Sequence, residues 1–395
     1  MMEKNPPDLT ADQDAHLDDI RLSVRAICAG FGEDYWRDLD AQNGYPTAFV
    51  EELTKSGFLG ALIPTEYGGA GLGLREACVI LEEVSRSGGH PGAAHAQMYV
   101  MGSLLRHGSD AQKAAYLPAV AAGELRLQSF AVTEPSTGTD TTSLKTRAEK
   151  VDDKYVINGQ KVWISRVQHS DLMLLLARTK PIEERSSKSD GLSCFIVDLR
   201  GAEERGLSIK PIDAMINHHS CELFFDDFEV PAENLLGAEH AGFRVILDGM
   251  NAERILIAAE CIGDARYFTD KAVAYAKDRV VFDRPIGQNQ GVSFPIARHY
   301  AATEAAALMV NKAARLFDAD HPCGAEANMA KMLAADASWA AGDTCLQTHG
   351  GFGISRDYHI ERKLRETRLY QIAPISTNLI LSYLSEHVLG MPRSF

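Results

Sequence analysis

The hydrophobic pattern of this 395-residue chain changes its period twice, and the order of the segments limits the folds open to it. From about residue 10 to 122, apolar residues recur at three- and four-residue steps, as in amphipathic helices. From about 123 to 235 the pattern is that of short strands, and after Pro231 long Ala-rich helical stretches follow at 241–280, 294–319 and 325–348. Because the strands form one block without intervening helices, a parallel α/β sheet is not expected. We predict an α+β protein with a helical domain at 1–122, an antiparallel β domain at 123–235 and a helical bundle at 236–395.

Turn signals divide the predicted β domain into strands. The dipeptide Asn158-Gly159 follows an apolar strand pattern at 155–157 and predicts a two-residue β-hairpin turn. Further strands are predicted at 172–177, 194–197 and 221–225, and the polar run 181–190 is predicted to be an exposed hairpin loop.

Composition excludes several classes of partner. A net charge of −14 argues against binding to nucleic acid or to an anionic membrane surface. The seven cysteines are scattered and form no C-x-x-C pair, so neither a disulfide framework nor a metal site is expected. The residues after Met1 contain no apolar or Arg-rich leader, and no apolar run reaches the length of a membrane span. We therefore expect a cytoplasmic protein without membrane insertion.

Residues 130–140, Phe-Ala-Val-Thr-Glu-Pro-Ser-Thr-Gly-Thr-Asp, carry the most informative turn signal. Pro135 disfavours helix at the preceding residue, and Gly138 permits a positive φ, so the segment is predicted to be an ordered turn. Its hydroxyl and main-chain N–H groups suit a planar polar ligand or a phosphate. A capped loop without a ligand would use the same residues, so the segment alone leaves both interpretations open.

Glu253 interrupts an apolar stripe on a predicted helix. Positions 246, 250, 253, 257 and 261 share one helical face, and the other four are Ile, Met, Ile and Cys. A carboxylate among apolar side chains suits proton abstraction beside a carbonyl group. The alternative is a structural ion pair with the adjacent Arg254.

Five segments, in order along the chain, resemble motifs of the flavin-dependent acyl-CoA dehydrogenase family: 130–140, 159–165, 252–254, 279–282 and 347–353. The resemblance covers most of the chain. It implies a helical N-terminal domain, a β-barrel-like middle domain and a C-terminal four-helix bundle. It also implies a homo-oligomer, most simply a tetramer, because Arg279 matches an arginine that reaches the flavin of a neighbouring subunit.

The same resemblance implies FAD as the cofactor. Trp163 would supply an aromatic face, although a buried strand aromatic is the alternative for this residue, and Ser165 stands where the family usually has Thr. Arg279 would reach the diphosphate and Gln290 the adenine side. The complete implied set is Phe130, Val132, Thr133, Thr139, Trp163, Ile164, Ser165, Arg279, Phe282, Gln290, Gln347, His349, Gly350, Gly351, Ser376 and Asn378.

The family has two alternative places for its catalytic glutamate. The C-terminal place falls on Pro374, which can neither accept a proton nor donate a main-chain N–H to a thioester carbonyl. The helical place holds Glu253, as in the isovaleryl-CoA and long-chain branches. Substrate contacts are implied for Thr139, Arg254 and Pro374, with the guanidinium fork of Arg254 suited to phosphate.

The resemblance implies an acyl-CoA dehydrogenase. Glu253 would take the α-proton of an acyl-CoA thioester while a hydride passes from the β-carbon to flavin N5, and an electron-transfer flavoprotein would accept the electrons. Two alternatives keep the fold: a flavin-dependent monooxygenase, or an inactive homologue that only binds acyl-CoA and FAD. Glu253 counts against the monooxygenase, which needs no base at this position.

Overall fold

The computed structural model describes residues 15–393, so the expectation of no leader at the N-terminus concerns residues outside the described part. The chain divides into two compact units. One comprises Ala41–Leu72 and Gly92–Met250, and the other comprises Gly73–Pro91, Asn251–Phe395 and the N-terminal segment that ends at Asp40. Within residues 15–393, no helix has the length and apolar character needed to cross a membrane.

The N-terminal part is helical, as its sequence pattern predicts. Helix α6 shows how local sequence sets these elements: Ser109 and Gln112 form a capping box at its start, and Gly123 ends it at φ +76°. The helices are α1 (Ala15–Ala29), α2 (Glu33–Gln42), α3 (Thr47–Lys55), α4 (Leu74–Arg86), α5 (Gly92–His107) and α6 (Asp110–Ala122).

The middle part is one sheet in which strands neighbour each other in the order β6-β7-β3-β2-β4-β5-β8, with β1 added beside β4. Most pairs are antiparallel, but β1 and β2 each pair with β4 in parallel, so the expectation of a purely antiparallel sheet is wrong at β4. The β2–β3 hairpin intervenes between β1 and β4, and the chain therefore enters β4 in the same direction as β1. The strands are β1 (Leu127–Ala131), β2 (Arg147–Val151), β3 (Lys154–Ser165), β4 (Leu172–Arg178), β5 (Leu192–Asp198), β6 (Leu207–Pro211), β7 (Ser220–Pro231) and β8 (Leu235–Leu236).

The predicted hairpin turn at Asn158-Gly159 is wrong. Strand β3 runs through both residues, and the β2–β3 turn lies earlier, at Asp152, which has φ +54°. Gly159 instead has φ +148° at an irregularity in the β3–β7 register, and a Cβ there would lie 2.6 Å from the Cα of Thr146. The glycine thus permits close strand approach rather than chain reversal. The loop at 181–190 does join the antiparallel pair β4 and β5, as predicted.

The C-terminal part contains the three long helices that the sequence predicts. Two shorter helices and a small hairpin complete it, and its apolar core includes Phe268, Ala341, Cys345 and Ile360. The elements are α7 (Gly242–Asp278), β9 (Val280–Val281), β10 (Arg284–Pro285), α8 (Gln290–Asp318), α9 (Gly324–His349), α10 (Ile360–Leu369) and α11 (Thr377–Tyr383). The predicted α+β architecture is therefore confirmed.

Candidate functional site

A buried carboxylate orders the turn that follows β1. Glu134 accepts hydrogen bonds from the main-chain N–H groups of Lys145 (2.6 Å) and Thr146 (2.8 Å), and it pairs with Lys161 at 2.9 Å. The ammonium of Lys161 also donates to the carbonyl oxygen of Val132 at 2.9 Å. Burial lowers the pKa of Lys161 to about 8, although the Glu134 carboxylate opposes this shift. The segment is an ordered turn, as the sequence predicts.

Within this turn, the side chains implied to meet a ligand remain accessible. Phe130, Val132 and Thr133 are half-buried, and Thr139 is exposed. The carbonyl oxygen of Thr133 accepts the N–H of Val162 at 3.0 Å, which ties the turn to strand β3.

Trp163 projects out of the sheet. The β3–β7 register shifts between Lys161 and Ile164, and Trp163 lies in this irregularity with φ +62°. Its side chain is 57% exposed, so the alternative of a buried strand aromatic is wrong. Ile164 returns to the β core, and any ligand contact from it would come from its main chain. Ser165 is half-buried, and its carbonyl oxygen accepts the hydroxyl of Ser129 at 2.8 Å.

In the other unit, a cavity of about 510 Å³ lies at the ends of α7 and α9. The structure brings five of the sequence-predicted residues into its lining: Arg279, Gln347, His349, Gly350 and Gly351. Phe282, on the β9–β10 hairpin, is 94% exposed and lies outside the lining, and so does Gln290, which is exposed at the start of α8.

His349 forms part of the cavity wall through stacking. The centroids of its ring and the Tyr275 ring lie 4.1 Å apart, and its Nδ1 is 2.8 Å from the carbonyl oxygen of Cys345. Burial lowers the pKa of His349 and so favours the neutral ring. Sequence reasoning missed Tyr275, whose only signal is an aromatic residue four positions before Arg279. Beyond His349, Gly350 ends α9 with φ +59°, and no atom lies within 4 Å of the position that a Cβ would take on Gly350 or Gly351.

Glu253 and Arg254 lie side by side on α7. Both are half-buried, while Ile257 and Cys261 on the same stripe as Glu253 are buried. Burial lowers the pKa of the Arg254 guanidinium, and the nearby Glu253 carboxylate opposes that shift. Arg254 Nη1 donates to Asn251 at 3.0 Å, whereas its Nε is buried and has no hydrogen-bond partner in the described part of the chain.

The segment around Pro374 is held by a buried lysine. Lys331 on α9 donates to the carbonyl oxygen of Ile375 at 2.9 Å. Ser376 caps α11 by accepting the N–H of Leu379 at 3.4 Å, and Asn378 is exposed in the first turn of that helix. The hydroxyl oxygen of Ser376 is therefore already used in a helix cap.

FAD requires an aromatic face, main-chain hydrogen bonds, a cation and room for its diphosphate, and each unit offers some of these groups. The β domain presents the exposed indole of Trp163 beside the ordered turn. The helical unit presents Arg279 and two glycines whose open surroundings admit a diphosphate without a Cβ in the way. The residues present fit the cofactor.

Three family models match consecutive segments of the chain. The acyl-CoA dehydrogenase N-terminal domain matches residues 14–124, the middle domain matches 129–228, and the C-terminal domain matches 240–387.

Curated relatives and solved structures agree with these matches. The chain is 34% identical to acyl-CoA dehydrogenase FadE12 of Mycobacterium tuberculosis over 95% of its own length and 96% of the relative's. It is 36% identical to an acyl-CoA dehydrogenase of Bacillus subtilis, over 89% of this chain and 92% of that one. Butyryl-CoA dehydrogenase from Megasphaera elsdenii superposes with a TM-score of 0.89 at 28% identity, covering 97% of this chain and all of that one (100%). The chain belongs to the acyl-CoA dehydrogenase family, flavoprotein oxidoreductases that use FAD and act on CH–CH bonds.

Proposed function

We propose that this protein removes a proton from the α-carbon and a hydride from the β-carbon of an acyl-CoA thioester, giving a 2-enoyl-CoA. The observation that carries this proposal is the placement of Glu253 on α7, in a stripe whose other four positions are Ile246, Met250, Ile257 and Cys261. Bound FAD supplies the acceptor for the hydride.

Glu253 acts as the general base in this proposal. The other positions of its stripe, Ile246, Met250, Ile257 and Cys261, cannot accept a proton. The buried carboxylates Glu260 and Asp264 farther along α7 are already engaged by Tyr370 and Lys363. Pro374, at the family's other place for the base, has no group that accepts a proton. A positioned carboxylate of this kind contributes on the order of 100- to 10,000-fold to the rate of proton abstraction.

Arg254 binds an anionic or polar part of the CoA moiety. Its Nε is enclosed without a protein partner among the described residues, and a buried donor of this kind favours an acceptor that arrives with a ligand. Guanidinium donors match phosphate oxygens in geometry and charge. Thr139, exposed on the turn after β1, is a second proposed contact for the substrate.

Each unit, taken separately, has proposed contacts for FAD. In the β domain, Phe130, Val132, Thr133, Trp163 and Ser165 face the ring system. In the helical unit, the cavity residues Arg279, Gln347, Gly350 and Gly351 take the diphosphate of FAD, with His349 and Tyr275 shaping the wall.

A homo-oligomer, most simply a tetramer, completes the proposal. The β9–β10 hairpin exposes Val280, Val281 and Phe282 together, and a contiguous apolar surface of this kind marks a contact with another chain. Arg279 directly precedes this surface, so the hairpin is a suitable place for it to reach a flavin of a second copy. An electron-transfer flavoprotein is the proposed electron acceptor.

The experiment is an anaerobic titration of the purified FAD-loaded protein with a panel of straight-chain, branched and cyclic acyl-CoA thioesters. At least one saturated thioester should bleach the visible flavin absorption and yield the corresponding 2-enoyl-CoA. If no thioester bleaches the flavin, while chemically reduced enzyme consumes oxygen and hydroxylates an added substrate, the monooxygenase assignment replaces this one. Binding of acyl-CoA without either reaction would indicate an inactive homologue.

A further inference from the structure

Two opposite charges are enclosed beneath the cofactor-facing surface of the β domain. Lys161 on β3 is fully buried (0% exposed), and Glu134 in the turn after β1 is 4% exposed. Their nitrogen and oxygen atoms lie 2.9 Å apart. A buried ion pair is weak evidence for stability, because desolvation offsets most of the attraction between the charges. The arrangement therefore points to a role in fixing geometry.

The pair joins three separate segments of the chain. Lys161 binds the carbonyl oxygen of Val132 as well as Glu134, and so holds the turn after β1 at two points. Glu134 binds the main chain at Lys145 and Thr146. The hydroxyl of Thr146 donates to the carbonyl oxygen of Gln160 at 3.1 Å, which returns the network to β3 next to Lys161.

Lys161 also lies two residues before Trp163. Residues two apart in a regular strand point to the same face. The shift in register after Lys161 and the positive φ of Trp163 break that rule, so the lysine is buried while the indole is 57% exposed. The ammonium thus anchors the strand at the point where the indole turns outward.

We propose that Lys161, through Glu134 and the carbonyl of Val132, is a positioning residue that sets the turn after β1 against Trp163 for FAD binding. This role rests on the proposed function, since it takes both segments to face the flavin. Lys161 itself touches neither cofactor nor substrate. Its removal should weaken FAD binding roughly 10- to 100-fold, the range that outer-shell partners of metal ligands show.

The test compares Lys161→Met with Lys154→Met in the full-length protein. Lys154 lies on the same strand and pairs with Glu229, but this pair is exposed, so it controls for loss of a lysine from β3. FAD is added back to each apoprotein, and three quantities are recorded: the dissociation constant, the visible spectrum at saturating FAD, and the thermal midpoint of the apoprotein. A double variant, Lys161→Met with Glu134→Gln, removes both charges and keeps the measurement possible if the single variant folds poorly.

A positioning role predicts a raised dissociation constant and an altered spectrum of the bound flavin in the Lys161 variants, with neither change in Lys154→Met. A purely structural role lowers the thermal midpoint but leaves the spectrum at saturation unchanged, and that result overturns the proposal. Trp163→Leu distinguishes failure of the positioning role of Lys161 from failure of the FAD assignment to this surface. If Trp163→Leu changes FAD binding and Lys161→Met does not, only the positioning role fails. If Trp163→Leu leaves binding and spectrum unchanged, the assignment of FAD to this surface fails, and the positioning role fails with it.

Discussion

Replacement of Gly159 by alanine should destabilise the β domain, because the new methyl group has no room. An ideal Cβ at this position lies 2.6 Å from both the Cα and the hydroxyl oxygen of Thr146. The Cα belongs to the backbone and cannot rotate away. Gly159 also has φ +148°, a conformation that residues with a Cβ rarely adopt.

The two effects give the expected magnitude. Backbone strain of this kind costs about 1–3 kcal/mol. Overpacking a close contact costs a further 1–3 kcal/mol or so. We therefore expect the free energy of unfolding to fall by roughly 2–6 kcal/mol, and the lower end alone corresponds to a fall in Tm of about 4–8 °C for a domain of 150–250 residues. Because Thr146 also binds Glu134, FAD affinity should fall as well.

Differential scanning calorimetry of the apoprotein is the assay, with Gly138→Ala as the matched control. Gly138 lies in the turn after β1, has no neighbouring atom within 4 Å of an added Cβ, and should tolerate alanine. Equal transition temperatures for Gly159→Ala and Gly138→Ala would contradict this prediction, since strand β3 would then have space for a methyl group at Gly159.

Three further perturbations have defined outcomes. Burial lowers the pKa of His219 from 6.5 to about 4, so the unfolded state binds the extra proton and stability is lost as pH falls from about 6.5 towards 4. Between pH 7 and 5, chemical denaturation should show that the free energy of unfolding falls by about 1–2 kcal/mol more in wild type than in His219→Asn. Asparagine is chosen because it tolerates the φ of +51° at this site. Parallel pH profiles of the two proteins would contradict this prediction. Phe282→Ser should shift the mass measured by light scattering towards smaller species, because the residue is 94% exposed on an apolar hairpin; an unchanged mass would place the subunit interface elsewhere. Arg279→Ala should raise the FAD dissociation constant, because it removes the guanidinium from the cavity. The measurement is a titration of the apoprotein with FAD, and an unchanged affinity would count against a diphosphate site in this cavity.

The order of helical and strand segments was predictable from hydrophobic period alone, because burying one face of a helix or strand requires that period. Helices α7, α8 and α9 begin and end within a few residues of the predicted stretches. The hairpin at Asn158-Gly159 failed because a local turn signal competes with long-range pairing. Strand β7 pairs with β3 on both sides of Gly159, so continued pairing is favoured over chain reversal.

Other features of the site depend on contacts that no local pattern encodes. The outward turn of Trp163 arises from an irregularity in strand pairing, which a two-residue period does not reveal. The buried pair of Glu134 and Lys161 joins residues 27 positions apart, and each alone looks like an ordinary surface charge. Similarly, Lys363 pairs with Asp264 on another helix while both are buried. The cavity residues Arg279 and Gln347–Gly351 were predicted by resemblance, and the structure adds that they share one cavity.

The variant Glu253→Gln tests whether Glu253 is the catalytic base. The change keeps side-chain volume and removes the charge and the proton-accepting oxygen. Asp270→Asn is the matched control, because it makes the same carboxylate-to-amide change on α7 at an exposed ion pair with Arg86. Both variants should retain FAD and bind acyl-CoA as wild type does.

The measurement is the rate of flavin reduction in an anaerobic stopped-flow experiment, with the acyl-CoA that bleaches wild type fastest. We expect Glu253→Gln to reduce its flavin about 100- to 10,000-fold more slowly than wild type, and Asp270→Asn to match wild type. If Glu253→Gln reduces its flavin at a rate near that of wild type, Glu253 is a partner of Arg254 in a structural ion pair, and the base lies elsewhere.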